Sequence, residues 1–221
     1  KKTEKRKTMK VAREGLVFWL PALILAAGLL IPGWWVGSLL FFLLAAAFAF
    51  FFRDPARRPP AGPDLVLSPA DGQVLKIESF TNQPEVVGPG QKISIFLSLL
   101  DVHFTRSPLA AEIVKVDYNP GKFFPAYRDE ASSQNESNSL VLATEAGQIF
   151  LKQMVGVAAR RIKCYVKPGD RVQAGQKIGL MYFGSRVDLF LPASIKLKIS
   201  PGQKVKGGLT IIGEIKNEGK D

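Results

Sequence analysis

The chain has 221 residues, with 30 Lys and Arg against 19 Asp and Glu, a formal charge of +11. Hydrophobic residues make up 47%, which excludes a disordered basic tail, and the length allows one modest domain with an accessory segment. Cys164 and His103 are the only cysteine and histidine, which excludes an intrachain disulfide, zinc sites built from several His or Cys ligands, and catalytic schemes that need two histidines.

Residues 1–14 form a basic tail with seven Lys or Arg and two acids, and the next 38 residues, 15–52, carry no charge. A helix needs about 20 apolar residues to cross a bilayer, with a usual range of about 17–25. Residues 15–31 and 34–52 therefore predict two short helical spans joined by a turn at Pro32-Gly33. A re-entrant wedge in one leaflet fits the same lengths, and a buried core hairpin is the soluble alternative. Trp19, Trp34 and Trp35 suit the headgroup level. A hairpin puts both flanks on one side, and the basic tail together with Arg53, Arg57 and Arg58 assigns that side to the cytoplasm. The expected location is the cytoplasmic face of the cell membrane, where a basic protein is attracted to anionic headgroups; nucleic acid is not expected as a partner. A cleaved signal peptide fits poorly, because the apolar region is too long and lacks a small-residue cleavage site.

Residues 53–67 carry four prolines and read as a stiff linker to a β domain over 68–221. Short branched runs separated by Gly and Pro predict strands at QVLKIE, KISIFLSLL, EIVKVDY and SLVLAT, with a loop or short helix over 128–139. VKPGDRVQAGQKI (166–178) is echoed by ISPGQKVKGGLTI (199–211), pairing Pro168 with Pro201, Gly169 with Gly202, Val172 with Val205, Gly175 with Gly208 and Ile178 with Ile211. Two turns in each unit predict a pair of β-hairpins, as in barrel-sandwich domains. The expected fold is mainly β, a barrel-sandwich-like domain with duplicated hairpin units, preceded by a helical membrane hairpin.

Three segments carry candidate chemistry: Asp71 in SPADGQV, His103 in DVHFTRSP, and Gly184-Ser185 in MYFGSRVDLFLP. Each has an ordinary structural reading, since Asp-Gly is a common hairpin turn and a lone histidine at a strand end is usually structural. Together they suggest self-cleavage. A serine hydroxyl can attack the preceding carbonyl and convert the peptide to an ester; elimination then leaves a dehydroalanine that hydrolyses to a pyruvoyl group. Glycine gives the attacked carbonyl room and tolerates a strained turn, and histidine with a carboxylate is the usual activator of serine.

In FFRDPARRPP, SPADGQV, ISIFLSLLDVHFTRSP, NPGKFFPAYRDEASSQNESN, ARRI and FGSRVDLFLP, in that order, the chain resembles phosphatidylserine decarboxylase proenzymes of the short bacterial and archaeal type. The resemblance implies self-cleavage at Gly184-Ser185 into a β chain (1–184) and an α chain (185–221), with Ser185 becoming the pyruvoyl group. That group would form a Schiff base with the amine of phosphatidylserine, release CO2 and yield phosphatidylethanolamine, without metal or pyridoxal phosphate. Long-type members carry His-x-x-His here, and their second histidine pairs with the Asp of ADG. This chain has His103-Phe104-Thr105-Arg106, so Arg106 stands at the second position. His103 is therefore expected to act both as base in cleavage and as proton donor after decarboxylation, with Asp71 as the third catalytic residue; an ordinary imidazole pKa near ~6.5 suits both duties.

Arg106, Lys122, Arg160 and Arg161 are candidates for binding the substrate, because cationic side chains suit phosphate oxygens, with Phe123 and Phe124 dipping into the interface. Cys164 reads as core. The competing class is a membrane-anchored, non-enzymatic adaptor or carrier with a lipoyl-like domain, but no modifiable lysine flanked by methionine and no heptad run is present. A membrane peptidase fails on zinc ligands. Ester-linked or archaeal ether-linked lipid, and whether the protein is a homo-oligomer, stay open.

Overall fold

Uncharged Leu- and Ala-rich sequence favours helix, and residues 15–52 fold accordingly. The computed structural model describes residues 10–128, 130–156 and 161–216, and the chain divides into two units, Lys1–Ala56 and Arg57–Asp221. In the first, strand β1 (Lys10–Val11) pairs antiparallel with β2 (Arg53–Asp54), and helices α1 (Leu16–Leu30) and α2 (Trp35–Phe51) lie between them. Each helix falls within a residue of its expected span. Pro32-Gly33 makes the turn, with Gly33 at φ +77°. The Ser38 hydroxyl donates to the Ala26 carbonyl at 2.7 Å, satisfying the one hydroxyl of the hairpin, and Phe18 stacks on Phe52. Val17, Ile24, Ile31, Trp35, Val36 and Leu40 face outward. By length and composition, Arg13–Leu30 is long and apolar enough to cross a membrane, whereas Trp35–Phe51 is slightly shorter.

The second unit is antiparallel β throughout its named pairings. Its strands in chain order are β3 (Leu65–Leu67), β4 (Gly72–Phe80), β5 (Gly90–Leu97), β6 (Phe104–Arg106) and β7 (Ala111–Asn119). A short helix α3 (Glu130–Gln134) precedes β8 (Ser137–Thr144), β9 (Gly147–Val155), β10 (Ile162–Cys164) and β11 (Arg171–Val172). Then follow β12 (Lys177–Met181), β13 (Ser185–Pro192), β14 (Ile195–Leu197), β15 (Lys204–Val205) and β16 (Ile211–Ile215). An eight-stranded sheet runs β11-β7-β8-β9-β13-β5-β4-β15, and two three-stranded sheets, β10-β12-β6 and β14-β16-β3, complete the unit. Alternation sends Ile93, Ile95, Leu97, Leu140, Leu142, Ile149, Leu151, Val187 and Leu189 into one continuous core. Each such side chain contributes about 1.5–3 kcal/mol on burial.

Two differences from expectation have local causes. The run KISIFLSLL stays a strand only to Leu97, because the Asp101 carboxylate accepts from the Ser98 amide (2.8 Å) and hydroxyl (2.7 Å) and folds the chain into a turn that leaves Leu99 and Leu100 exposed. The supposed linker is also more engaged than its prolines suggested, since it supplies β3 to the β unit.

The duplication is larger than the echo. Residues of β3–β4 match those of β6–β7 thirty-nine positions on. Leu67 N donates to Pro108 O and Arg106 N to Pro69 O; the Ser68 hydroxyl reaches Ala70 O and the Ser107 hydroxyl Leu109 O; Val205 pairs with Gly72 and Val172 with Ala111. Both long strands carry an irregularity at the matching place, Val74/Lys76 and Ile113/Lys115. The echo itself needs one adjustment. Tyr165 bonds the Ile178 carbonyl whereas Lys198 bonds that of Ile212, so the second unit holds one extra residue and Ile178 matches Ile212, not Ile211.

Candidate active site

The turn from β12 into β13 has two left-handed residues in succession, Phe183 (φ +46°) and Gly184 (φ +55°), and Phe183 is the one non-glycine residue with positive φ among the described residues. Side chains resist this conformation by about 1–2 kcal/mol; Gly184 adopts it freely. Ser185 then enters β13 between Leu97 on β5 and Val155 on β9. Period-two alternation gives it the inward face shared by Val187, Leu189 and Leu191, so it is fully buried. Its hydroxyl has no hydrogen-bond partner among the described residues, an arrangement that typically costs about 1–3 kcal/mol. The Gly184 carbonyl, by contrast, accepts from the Gly156 amide at 2.9 Å.

His103 sits just before β6 and is 1% exposed. Its carbonyl accepts from Met181 N at 3.1 Å, which ties it to the strand leading into this turn. Its Nδ1 lies 3.0 Å from the Asp101 carbonyl oxygen. A carbonyl can only accept, so Nδ1 carries the proton and the lone pair of the neutral ring is on Nε2, the form a general base requires.

Asp71 precedes β4, which pairs with β5 beside Phe96, and its carboxylate is occupied by other groups. Its carboxylate receives both Arg57 guanidinium nitrogens, Nη2 to Oδ2 at 2.7 Å, and the Gly207 amide at 2.8 Å, and Arg57 also donates to the Gly207 carbonyl. Among the described residues, its hydrogen-bond partners are Arg57 and Gly207, not His103 or Ser185. Arg106, at the position of the absent second histidine, is buried and donates from Nη1 to the Gly175 carbonyl at 2.9 Å. Lys122 is exposed, donates to Gln134 Oε1 at 3.1 Å and lies 5.8 Å above the Phe124 ring. Phe123 packs against the core and Phe124 is half-buried with its backbone clamped by Asn135, so neither is free to dip outward. Arg161 is exposed; Arg160 lies outside the described residues. Cys164 is half-buried against the core.

Several contributors escaped the sequence. Asn135 Nδ2 bonds the carbonyls of Phe124 and Val155, at 2.7 and 2.8 Å, and so pins the 122–136 segment beside the strand that flanks Ser185. Arg186 and Asp188, two residues apart on the other face of β13, form a fully buried ion pair (2.7 Å), with Ser94 on the guanidinium and Ser132 on the carboxylate. Two charges at i and i+2 inside an apolar run were the available signal. Nearby, burial lowers the Lys152 pKa, with Asp188 and Glu85 opposing and Lys92 reinforcing. A cavity of about 570 Å³ lies at the Pro192 end of β13, the end opposite Ser185, between Phe80, Gly90, Ile195 and Lys216. Among the described residues no three His, Cys, Asp or Glu side chains converge as metal ligands.

The family model described as Phosphatidylserine decarboxylase matches residues 44–213. Relatives from Desulfotalea psychrophila and Burkholderia ambifaria, each named phosphatidylserine decarboxylase proenzyme, are 41% identical over 206 residues, covering 93% of this chain and 96% of theirs. One of the same name from Carboxydothermus hydrogenoformans is 41% identical over 210 residues, 92% of this chain and 96% of its own. Together with a buried serine directly after the left-handed Phe183-Gly184 turn, these matches leave the adaptor reading without support: the chain belongs to the phosphatidylserine decarboxylase family.

Proposed function

We propose that this protein cuts itself between Gly184 and Ser185, converts Ser185 to a pyruvoyl group, and then decarboxylates phosphatidylserine to phosphatidylethanolamine at the cytoplasmic face of the membrane. The observation that carries the reading is the Gly184-Ser185 bond, held in a doubly left-handed turn with the serine hydroxyl buried and unsatisfied. Strain and lost hydrogen bonding raise the ground state, and cutting the bond releases both. The relatives' name, phosphatidylserine decarboxylase proenzyme, contains both the lipid and a precursor and supports the same chemistry.

His103 is the proton carrier: Nε2 takes the Ser185 hydroxyl proton during cleavage and later returns a proton to the carbon that has lost CO2. Asp71 keeps Arg57 and Gly207 in place and serves the site by position, a departure from the triad expected from long-type relatives. Arg106 does the same at Gly175, while exposed Lys122 and Arg161, with Arg160, are assigned to the lipid headgroup. The pyruvoyl carbonyl supplies an electrophile for the substrate amine and a sink for the electron pair left by CO2. Residues 15–52, with basic residues on either side, hold the enzyme at the bilayer where its substrate resides.

Intact mass of the full chain in detergent or nanodiscs, beside Ser185→Ala, tests this. Two fragments ending at Gly184 and beginning with a pyruvoyl group are expected, with release of CO2 from phosphatidylserine vesicles. A parent chain as uncut as Ser185→Ala, with the lipid intact, overturns it.

A further inference from the structure

The attacked carbonyl already has a donor. As Ser185 Oγ bonds to the Gly184 carbonyl carbon, the C=O electron pair moves to oxygen and creates an oxyanion, and the oxygen in question is the one that accepts from Gly156 N at 2.9 Å. A hydrogen bond to an anion is shorter and about twice as strong as one to a neutral carbonyl, so this contact stabilises the transition state more than the ground state. We propose that the Gly156 backbone N–H is the oxyanion donor for self-cleavage, an inference that rests on the self-processing reading above.

Position and residue type both fit. Gly156 follows Val155, the cross-strand partner of Ser185, so the ladder holds the donor one step beyond the nucleophile. The Val155 amide is bonded to Glu136 O and its carbonyl to Asn135 Nδ2, which fixes the peptide carrying the Gly156 N–H from both sides. A Cβ at 156 would stand 2.7 Å from Gly184 O and 3.3 Å from Ala126 N. No L-residue fits there without pushing the scissile carbonyl away, which accounts for glycine directly after β9. The left-handed φ angles of Phe183 and Gly184 set the orientation in which this carbonyl meets the donor as the chain enters β13.

The step balances within the chain. Oγ–C forms and the Oγ proton passes to His103; collapse of the oxyanion breaks the C–N bond of Ser185, and the proton is returned to that nitrogen as it becomes an amine. The products are an ester and an amine, with no water or oxidant consumed. His103 moves the proton and Gly156 holds the charge.

The decisive variant replaces Gly156 by glycolic acid in the full chain, by nonsense suppression in cell-free translation with nanodiscs. An ester oxygen then stands in place of the N–H, and no side chain is added. Loss of one such donor should slow conversion to two fragments about 10²–10³-fold. In a Ser185→Ala background the same replacement should leave the melting temperature close to that of its parent, which separates a lost donor from a lost fold. Gly156→Ala, which keeps the N–H but crowds the carbonyl, should also slow cleavage. If the parent chain cuts and the ester chain cuts at the same rate, the Gly156 assignment is wrong and self-processing stands. If the parent chain itself never cuts, both fall.

Discussion

The segments Ser68–Gly72 and Ser107–Ala111 occupy equivalent places in the two halves of the β unit and make the same backbone bonds, yet the side chains differ where chemistry is concerned. Asp71 stands opposite Ala110, and Arg106 opposite Leu67. His103, whose carbonyl receives Met181 N, stands opposite Asp64, whose carbonyl receives Ile215 N. The duplicated frame is thus a scaffold, and departures from its symmetry mark the positions given other work. One half brings a histidine to the strand that leads into Ser185; the other uses a carboxylate to hold the chain on its way from residue 57.

The comparison can be broken at its functional point. His103→Gln should slow self-cleavage about 10²–10⁴-fold, followed as the appearance of two fragments with time. Asp64→Asn, at the matching position, should leave the rate unchanged. A His103→Gln chain that cleaves like its parent would remove the base role and leave only the later proton transfer.

A second substitution asks whether Asp71 is scaffold or chemistry. Asp71→Ala strands the Arg57 guanidinium, whose side chain is only 5% exposed, without its counter-charge. In the uncleavable Ser185→Ala background this should cost about 3–5 kcal/mol in denaturant unfolding, and Arg57→Leu added to it should recover part of the loss. A cost below about 1 kcal/mol, with cleavage stopped in the Ser185 chain, would return Asp71 to the catalytic group.

The smallest effect sharpens the symmetry itself. Ser68→Ala and Ser107→Ala each remove one hydroxyl-to-carbonyl bond, of 2.7 and 2.6 Å, at equivalent turns. Each should cost about 0.5–1.5 kcal/mol, and the two values should agree within about 0.5 kcal/mol. A large inequality would mean that the halves are alike in outline only.

Much of the frame was legible because turns carry chemical signatures. Pro-Gly followed by a second glycine announced both hairpins, and φ near +89° and +86° at Gly169 and Gly202 is the physical reason those residues recur. The other half of the duplication was hidden, since a strand pair needs only alternating apolar residues and shares no more than Ser-Pro at its turn. Ser185 and His103 were legible because their side chains are reactive. Gly156 was not, because a backbone amide has no letter of its own. Arg57 was obscured by lying in a proline-rich run that composition marks as linker, while its partner is fourteen residues onward. Arg186 and Asp188 were obscured by the expectation that charges sit outside, which a matched pair with further hydroxyl partners evades.

Strand β13 pairs along its whole length with β5 and over six residues with β9, so the segment beginning at Ser185 is woven into the centre of the sheet and not laid along its edge. A cut before Ser185 would therefore leave the two pieces interlocked, with no route to separation short of unfolding the unit. The reverse journey is different. Once apart, the pieces would have to find each other by diffusion and rebuild the middle of a sheet from two chains, a second-order process in competition with aggregation. Processing would thus act as a ratchet: the protein folds as one molecule and thereafter persists by the slowness of its unfolding, so that heat inactivation of the cut form should be irreversible where that of the uncut Ser185→Ala form is not.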